Sequence, residues 1–224
     1  MELSSFTMQV LKNFASINSN IVIHPGNVIK TMSEAKNIVG HATVTETFPQ
    51  KVGIYDLSEF LSVLGLVDSP RMRFEPSHML IGDSSGRTQI QYFFSDPEML
   101  TSPLKDLPEV SGVVEFTLDQ STLNNLKRSA SVLGHSEVSV TPSGGSITLS
   151  VMDKDNSTSN KYSIDVDGKY QSDDFNFILN INNLKMIAGD YKVKFASNLI
   201  SQFINTAGNL QYWVALEKSS VYRS

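Results

Sequence analysis

Residues 90–94 read Ile-Gln-Tyr-Phe-Phe, and residues 210–214 read Leu-Gln-Tyr-Trp-Val, 120 positions later. Two further pairs of segments match in the same order along the chain: 54–60 with 178–184 at an offset of 124, and 3–15 with 118–130 at an offset of 115. Loops of different length between two copies of one structural unit would produce this small spread of offsets. The repeat therefore predicts a duplicated domain.

The segment between the two copies supports a domain boundary near residue 110. Residues 95–110 contain three prolines, which disfavour both helix and central strand. We therefore expect a first domain over 1–110, including this linker, and a second over 111–224. The linker also holds apolar residues that a solvated connector would not need: Met99, Leu100, Leu104, Leu107 and Val110. It either packs against its own domain or forms one wall of a groove.

Each half shows the pattern of helix, four strands, helix and three strands, and a further strand at 112–117 leads the second half. Helices are predicted at 4–17, 57–66, 119–133 and 180–187, with Asp56, Asp119 and Asn180 as N-caps. Long runs of strands with two helices per unit are typical of antiparallel sheets covered by helices. The predicted fold class is α+β rather than a series of βαβ units.

Composition excludes several classes of protein. The 224-residue chain has no cysteine, which excludes disulfide scaffolds, cysteine-ligated metals and thiol nucleophiles. We find no apolar run long enough to cross a membrane, no secretory signal and no catalytic or metal-binding constellation. No enzymatic activity and no cofactor are therefore expected. The formal net charge of -5 argues against nucleic-acid binding unless the cations are gathered on one surface.

The cations on the predicted helices do gather on the polar sides. An advance of 100° per residue places Lys12, Lys127, Arg128 and Lys185 on polar arcs that contain no carboxylate. A lysine on such an arc is most often only solvated, and that interpretation stays open for each helix taken alone. The second helix departs from the pattern, because Leu61 stands where Lys185 stands in the other copy.

The chain resembles the sliding clamps of T-even-type bacteriophages and of related phages that infect cyanobacteria. The resemblance rests on residues 11–19, 54–57, 175–178, 184–186, 189–192 and 212–217. It implies the DNA clamp fold: two similar domains, each with two helices packed on antiparallel sheet, in a homotrimeric ring whose helices line the hole. It also implies a location in the cytoplasm of an infected bacterial host, without membrane contact.

The resemblance implies partners and the residues that meet them. The expected partners are double-stranded DNA, the C-terminal peptide of a DNA polymerase, an ATP-driven clamp loader and late-transcription factors. By this analogy Lys12, Lys127, Arg128 and Lys185 face DNA, and subunits join through edge strands that carry Ile90, Tyr92, Tyr162 and Ile164. The peptide groove would be lined by Trp213, Ala215, Leu104 and Leu107, although Trp213 could instead belong to the core.

Two other classes of function remain open at this point. One is a β-rich virion or scaffold protein, for which the duplication would serve only assembly. The other is a small hydrolase or transferase whose site the sequence pattern does not reveal. Stimulation of a polymerase by the ring and its loader would distinguish the clamp from both.

Overall fold

Three α-helices are set among short antiparallel strands in the computed structural model, which describes residues 1–103, 107–156 and 158–223. The chain divides into two units, Met1–Asp106 and Leu107–Ser224, whereas the sequence puts the boundary a few residues later. Each unit has an apolar core of its own, and the α+β class is confirmed. Among the described residues, no helix has both the length and the apolar character of a membrane span.

The elements of the first unit follow the predicted order, and both helices lie within about two residues of their predicted bounds. They are α1 (Ser5–Ile17), β1 (Ile21–Ile23), β2 (Gly26–Met32), β3 (Ile38–Phe48), β4 (Val52–Ile54), α2 (Leu57–Leu64), β5 (Arg71–Phe74), β6 (His78–Gly82) and β7 (Gln89–Phe93). β1 pairs with β4 and β2 with β3, while β5, β6 and β7 form a sheet in that order. β7 is therefore an end strand of its sheet.

Helix α1 is held at its start by Ser4 and by Glu46 of β3. The Ser4 hydroxyl accepts a hydrogen bond from the Thr7 N–H (3.2 Å), and the Glu46 carboxylate accepts from the Ser4 N–H and the Thr7 hydroxyl. Burial opposes ionisation of Glu46, but these hydrogen bonds outweigh it and lower its pKa. The side of α1 that packs on α2 and β3 is buried and consists of Val10, Leu11, Phe14 and Ile17.

The second unit repeats this architecture with additional strands. Its elements are β8 (Val114–Leu118), α3 (Gln120–Leu133), β9 (Glu137–Ser143), β10 (Ser146–Met152), β11 (Tyr162–Val166), β12 (Gly168–Tyr170), β13 (Asp174–Asn180), β14 (Tyr191–Phe195), β15 (Ile200–Asn205), β16 (Leu210–Ala215) and β17 (Val221–Arg223). One sheet has the order β11-β10-β9-β13-β17, and in the other β12, β8, β14, β15 and β16 are neighbours. The three-residue strands β12 and β17 were not predicted from the sequence.

Helix α3 begins and ends at the residues that its sequence predicts. Asp119 is the N-cap and accepts a hydrogen bond from the Thr122 N–H at 2.7 Å. Gly134 ends the helix in the left-handed conformation (φ 70°), which a residue without a Cβ adopts at little cost. The apolar side of α3 lies against β10 and β11, so the polar side faces solvent.

The predicted fourth helix at 180–187 is wrong. Asn180 does cap a turn, but the turn is a three-residue 3-10 helix, Ile181–Asn183. Leu184, Met186 and Ile187 are all buried, and this spacing does not form one side of an α-helix. The two asparagines of the turn also favour turns over helix interiors. The second unit therefore packs one helix and a short turn on its sheets, rather than two helices.

We predict that Asp119→Ala lowers the free energy of unfolding by about 1 kcal/mol at neutral pH, because α3 loses its N-cap. Asp119→Asn, which still caps, should cost only a few tenths of that. Hydrogen bonds from Ser121 and Thr122 hold the pKa of Asp119 below its ordinary value. The advantage of the wild type should therefore be complete above about pH 4 and disappear as the pH falls further.

Denaturant unfolding of the three proteins at several pH values measures this effect. Equal stability of Asp119→Ala and the wild type at neutral pH would contradict the assigned cap.

Candidate functional site

Two of the three cations expected to face DNA in the second unit line one surface pocket. Lys127 of α3 and Lys185, which follows the 3-10 turn, both line a depression of about 510 Å³. Lys185 is exposed and Lys127 is half-buried. Burial lowers the pKa of Lys127, and no carboxylate within the described ranges pairs with its ammonium group. Arg128, the next residue of α3, is exposed on the helix surface.

Two buried tyrosines position the segment that carries Lys185. The Tyr191 hydroxyl donates a hydrogen bond to the Ile187 carbonyl at 2.6 Å, and the Ile187 N–H donates to the Tyr212 hydroxyl at 3.3 Å. Burial raises the pKa of both phenols, so each remains a neutral group. The Ile187 N–H thus bonds a side chain of the sheet, whereas in a helix over 180–187 it would bond the carbonyl four residues earlier. Sequence reasoning missed these bonds because nothing in the pattern links the tyrosines to residue 187.

Lys12 of the first unit has a different environment. It is exposed on α1 and lines a pocket of about 340 Å³ together with Leu61 of α2. The remaining lining is mostly apolar and includes Leu3, Met8, Leu64, Val67 and Met72, with the carboxylate of Glu2 also present. The first unit therefore has an apolar residue, Leu61, where the second unit has the cation Lys185.

The linker crosses three neighbouring strands of the second unit and is held by one side chain from each. Lys194, Gln202 and Trp213 stand opposite one another across β14, β15 and β16. Lys194 Nζ donates to Glu109 Oε1 (2.6 Å), Gln202 Oε1 accepts from the Val110 N–H (2.9 Å), and Trp213 Nε1–H donates to the Pro108 carbonyl (3.2 Å). This row of three residues, the linker anchor, fixes the backbone of residues 108–110.

Three of the four expected groove residues lie close in the chain to residues of this anchor: Trp213 belongs to it, Ala215 stands two residues further along β16, and Leu107 precedes Pro108. Trp213 is only 6% exposed and bonds the linker at Pro108, whereas Ala215 is exposed and Leu107 is half-buried. Leu104 lies outside the described residues. The intervening Tyr212 and Val214 point into the core, as strand alternation predicts. Whether these residues bind a partner remains a prediction.

The four residues expected at the subunit interface lie on end strands. Ile90 and Tyr92 belong to β7, and Tyr162 and Ile164 belong to β11, the first strand of the five-stranded sheet. All four are partly exposed. The Tyr92 ring packs on Phe60 of α2 with 5.2 Å between ring centroids, and burial, with nearby carboxylates, raises its pKa to about 12. An end strand has unpaired backbone groups that can bind another strand.

Solved structures with the same fold define the class of protein. A structure of A. fulgidus PCNA with the C-terminal region of FEN-1 bound superposes with a TM-score of 0.72 at 9% identity, covering 100% of this chain and 98% of that chain. PCNA from Thermococcus kodakaraensis gives 0.69 at 12% identity, covering 95% and 96%. At such low identity the likeness shows the fold alone, which is that of the DNA sliding clamps.

Sequence comparisons then give the family. The family described as "gp45 sliding clamp, C terminal" matches residues 115–218, and "DNA polymerase processivity factor" matches residues 4–72. The sliding clamp of Vibrio phage KVP40 is 33% identical over 97% of this chain and 99% of its own length. That of Enterobacteria phage T4 is 32% identical over 99% of each. The chain belongs to the family of bacteriophage sliding clamps, the processivity factors of DNA polymerases.

We predict that Gln202→Leu releases the linker from the anchor. The Gln202 side chain is the only acceptor that the described structure gives the Val110 N–H, and Gln202 is 1% exposed. Its loss leaves a buried donor without a partner, so the free energy of unfolding should fall by about 1–3 kcal/mol. Amide hydrogen exchange at Val110 should accelerate, as measured by NMR.

Gln211→Leu is the matched control. Gln211 bonds the amide nitrogen of Gln202 rather than the linker, so exchange at Val110 should stay slow in this variant. Unchanged exchange at Val110 in Gln202→Leu would show that the anchor does not hold the linker.

Proposed function

We propose that three copies of this chain form a ring that encircles duplex DNA and tethers the polymerase, without catalysis of its own. The observation that carries this proposal is the clamp fold over the whole chain, combined with the placement of its cations. Lys12, Arg128 and Lys185 are exposed and Lys127 is half-exposed, in a chain whose net charge is -5; three of the four stand on helices, and Lys185 follows the 3-10 turn. The ring would work in the cytoplasm of an infected bacterial host.

The distribution of charge suits sliding. A trimer would present twelve of these cations, and contacts of long side chains with phosphates carry no sequence information and weaken with salt. A closed ring is retained by its topology, so tight binding would only slow its movement. The acidic remainder of the surface would repel DNA and favour the basic side of the ring.

Subunits would join by pairing the end strand β7 of one copy with β11 of the next. Both strands leave backbone N–H and C=O groups at the edge of a sheet, and partly exposed Ile90, Tyr92, Tyr162 and Ile164 would pack beside the new pair. Such a head-to-tail contact uses different surfaces on the two partners. It closes into a ring when the rotation between neighbours is 120°.

A peptide groove beside the linker would recruit partners. The A. fulgidus PCNA noted above binds the C-terminal region of FEN-1. By analogy we propose that the C-terminal peptide of the polymerase binds beside the linker anchor, at Trp213, Ala215, Leu104 and Leu107. A clamp loader and late-transcription factors would use the same ring.

We predict that replacing Lys12, Lys127, Arg128 and Lys185 together by Glu abolishes processive synthesis. Reversal of twelve charges in the ring would repel the phosphates, whereas the melting temperature should change little because these side chains contact solvent. Product length on primed circular DNA, with polymerase and loader present, measures the effect. Full-length products from this variant would show that DNA does not meet these residues.

We predict that Ile90→Pro and Tyr92→Pro produce folded monomers. Proline removes an N–H and fixes φ, which prevents regular pairing along β7. Native mass measurement gives the assembly state, and circular dichroism checks the fold. Tyr92→Phe, which keeps the ring on Phe60 and the backbone N–H, should remain a trimer; trimers of both proline variants would place the interface elsewhere.

A further inference from the structure

The pocket between α3 and the 3-10 turn has the chemistry of an anion site. Its polar lining residues can all donate hydrogen bonds and include Lys127, Lys185, Ser131, Ser136 and Asn182. No carboxylate lines it within the described structure. Its apolar lining residues Ala130, Ile181 and Leu184 are all buried.

Lys127 is the member of this pocket that lacks a counter-charge. A half-buried ammonium group loses hydration without gaining a protein anion, and its lowered pKa reflects that cost. An anion bound in the pocket would restore the missing interaction. Lys185 lies 58 positions after Lys127 in the chain. The 3-10 turn brings it to the same pocket, and hydrogen bonds between Ile187 and the hydroxyls of Tyr191 and Tyr212 hold that segment in place.

His135 also lines the pocket, and its environment defines one of its nitrogens. Nε2 lies 2.9 Å from the Asn160 carbonyl, which can only accept, so Nε2 carries a proton. The imidazole is thus a fixed, polar part of the wall and adds no negative charge. The pocket has two cations and several neutral donors, a composition that suits the oxygens of a phosphodiester.

The corresponding pocket of the first unit has the opposite character. Lys12 matches Lys127, but Leu61 takes the place of Lys185, and the pocket is lined mainly by apolar side chains with the Glu2 carboxylate. A phosphate there would lose hydration against the apolar lining and meet a negative charge. The pocket of the second unit is therefore suited to an anion and that of the first unit is not. Both units nevertheless carry a lysine at the same position of their first helix.

We propose that each chain binds one phosphate of the DNA backbone in the pocket between Lys127 and Lys185, and that the pocket of the first unit binds none. This inference rests on the proposed function, because the phosphate belongs to encircled DNA. A ring would then have three phosphate sites, one per chain, with Lys12 and Arg128 contributing only diffuse attraction.

Two double variants that remove the same charge test the proposal. Lys127→Gln with Lys185→Gln empties the pocket of cations, and Lys12→Gln with Arg128→Gln is the matched control. The plot of log binding constant against log salt concentration has a negative slope for duplex DNA. We expect this slope to become less negative by about 0.9 per chain in the pocket variant, and by clearly less in the control. Melting curves confirm that both variants are folded.

Equal slopes for the two variants would overturn the proposal, because they would show that only total charge matters. Failure of the wild-type protein to bind DNA at all would instead refute the proposed function. NMR of protein with ¹³C-labelled lysine provides the site-specific readout: a short duplex should shift the Lys127 and Lys185 signals and leave Lys12 nearly unchanged. Inorganic phosphate is the second probe, and shifts with phosphate but not with duplex would reject DNA as the ligand.

Discussion

The burial of one side of each helix against antiparallel strands is the constraint on which the rest of this structure depends. Leu123, Leu126 and Ala130 of α3 are nearly inaccessible, and a helix of 3.6 residues per turn then must turn Arg128 outward and leave Lys127 at the margin. Hydrophobic packing thereby decides where the cations go. An acidic chain can present a basic surface because its core, rather than its net charge, arranges the side chains.

The sequence predicted those features that depend on local periodicity and capping. The first three helices, their caps at Asp56 and Asp119, and the alternation along β16 all follow from the nearest neighbours in the chain. The prediction of a fourth helix failed because the Tyr212 hydroxyl, 25 residues further along the chain, accepts from the Ile187 N–H, a donor that a helix would have paired within itself. For the same reason the meeting of Lys127 and Lys185 in one pocket could not be predicted, since it depends on tertiary packing.

Trp213 joins the linker to the second unit, and its role in binding a partner remains a prediction. Trp213 has the low exposure of a core residue, yet its indole N–H bonds the linker carbonyl of Pro108 rather than a group of the sheet. Gln202 and Lys194 extend the same row across the strands, so the linker residues 108–110 complete the second unit. Pro108, one of the prolines that marked a boundary in the sequence, therefore belongs to a segment that hydrogen bonds hold to the sheet.

Trp213 is the only tryptophan of the chain, and its position under the linker gives the protein an intrinsic optical reporter. Indole fluorescence responds to the polarity around the ring and to the hydrogen bond at its nitrogen. Any event that lifts the linker from β16 would expose the ring to water and shift its emission to longer wavelength. The state of the linker can thus be followed in real time in the unlabelled protein.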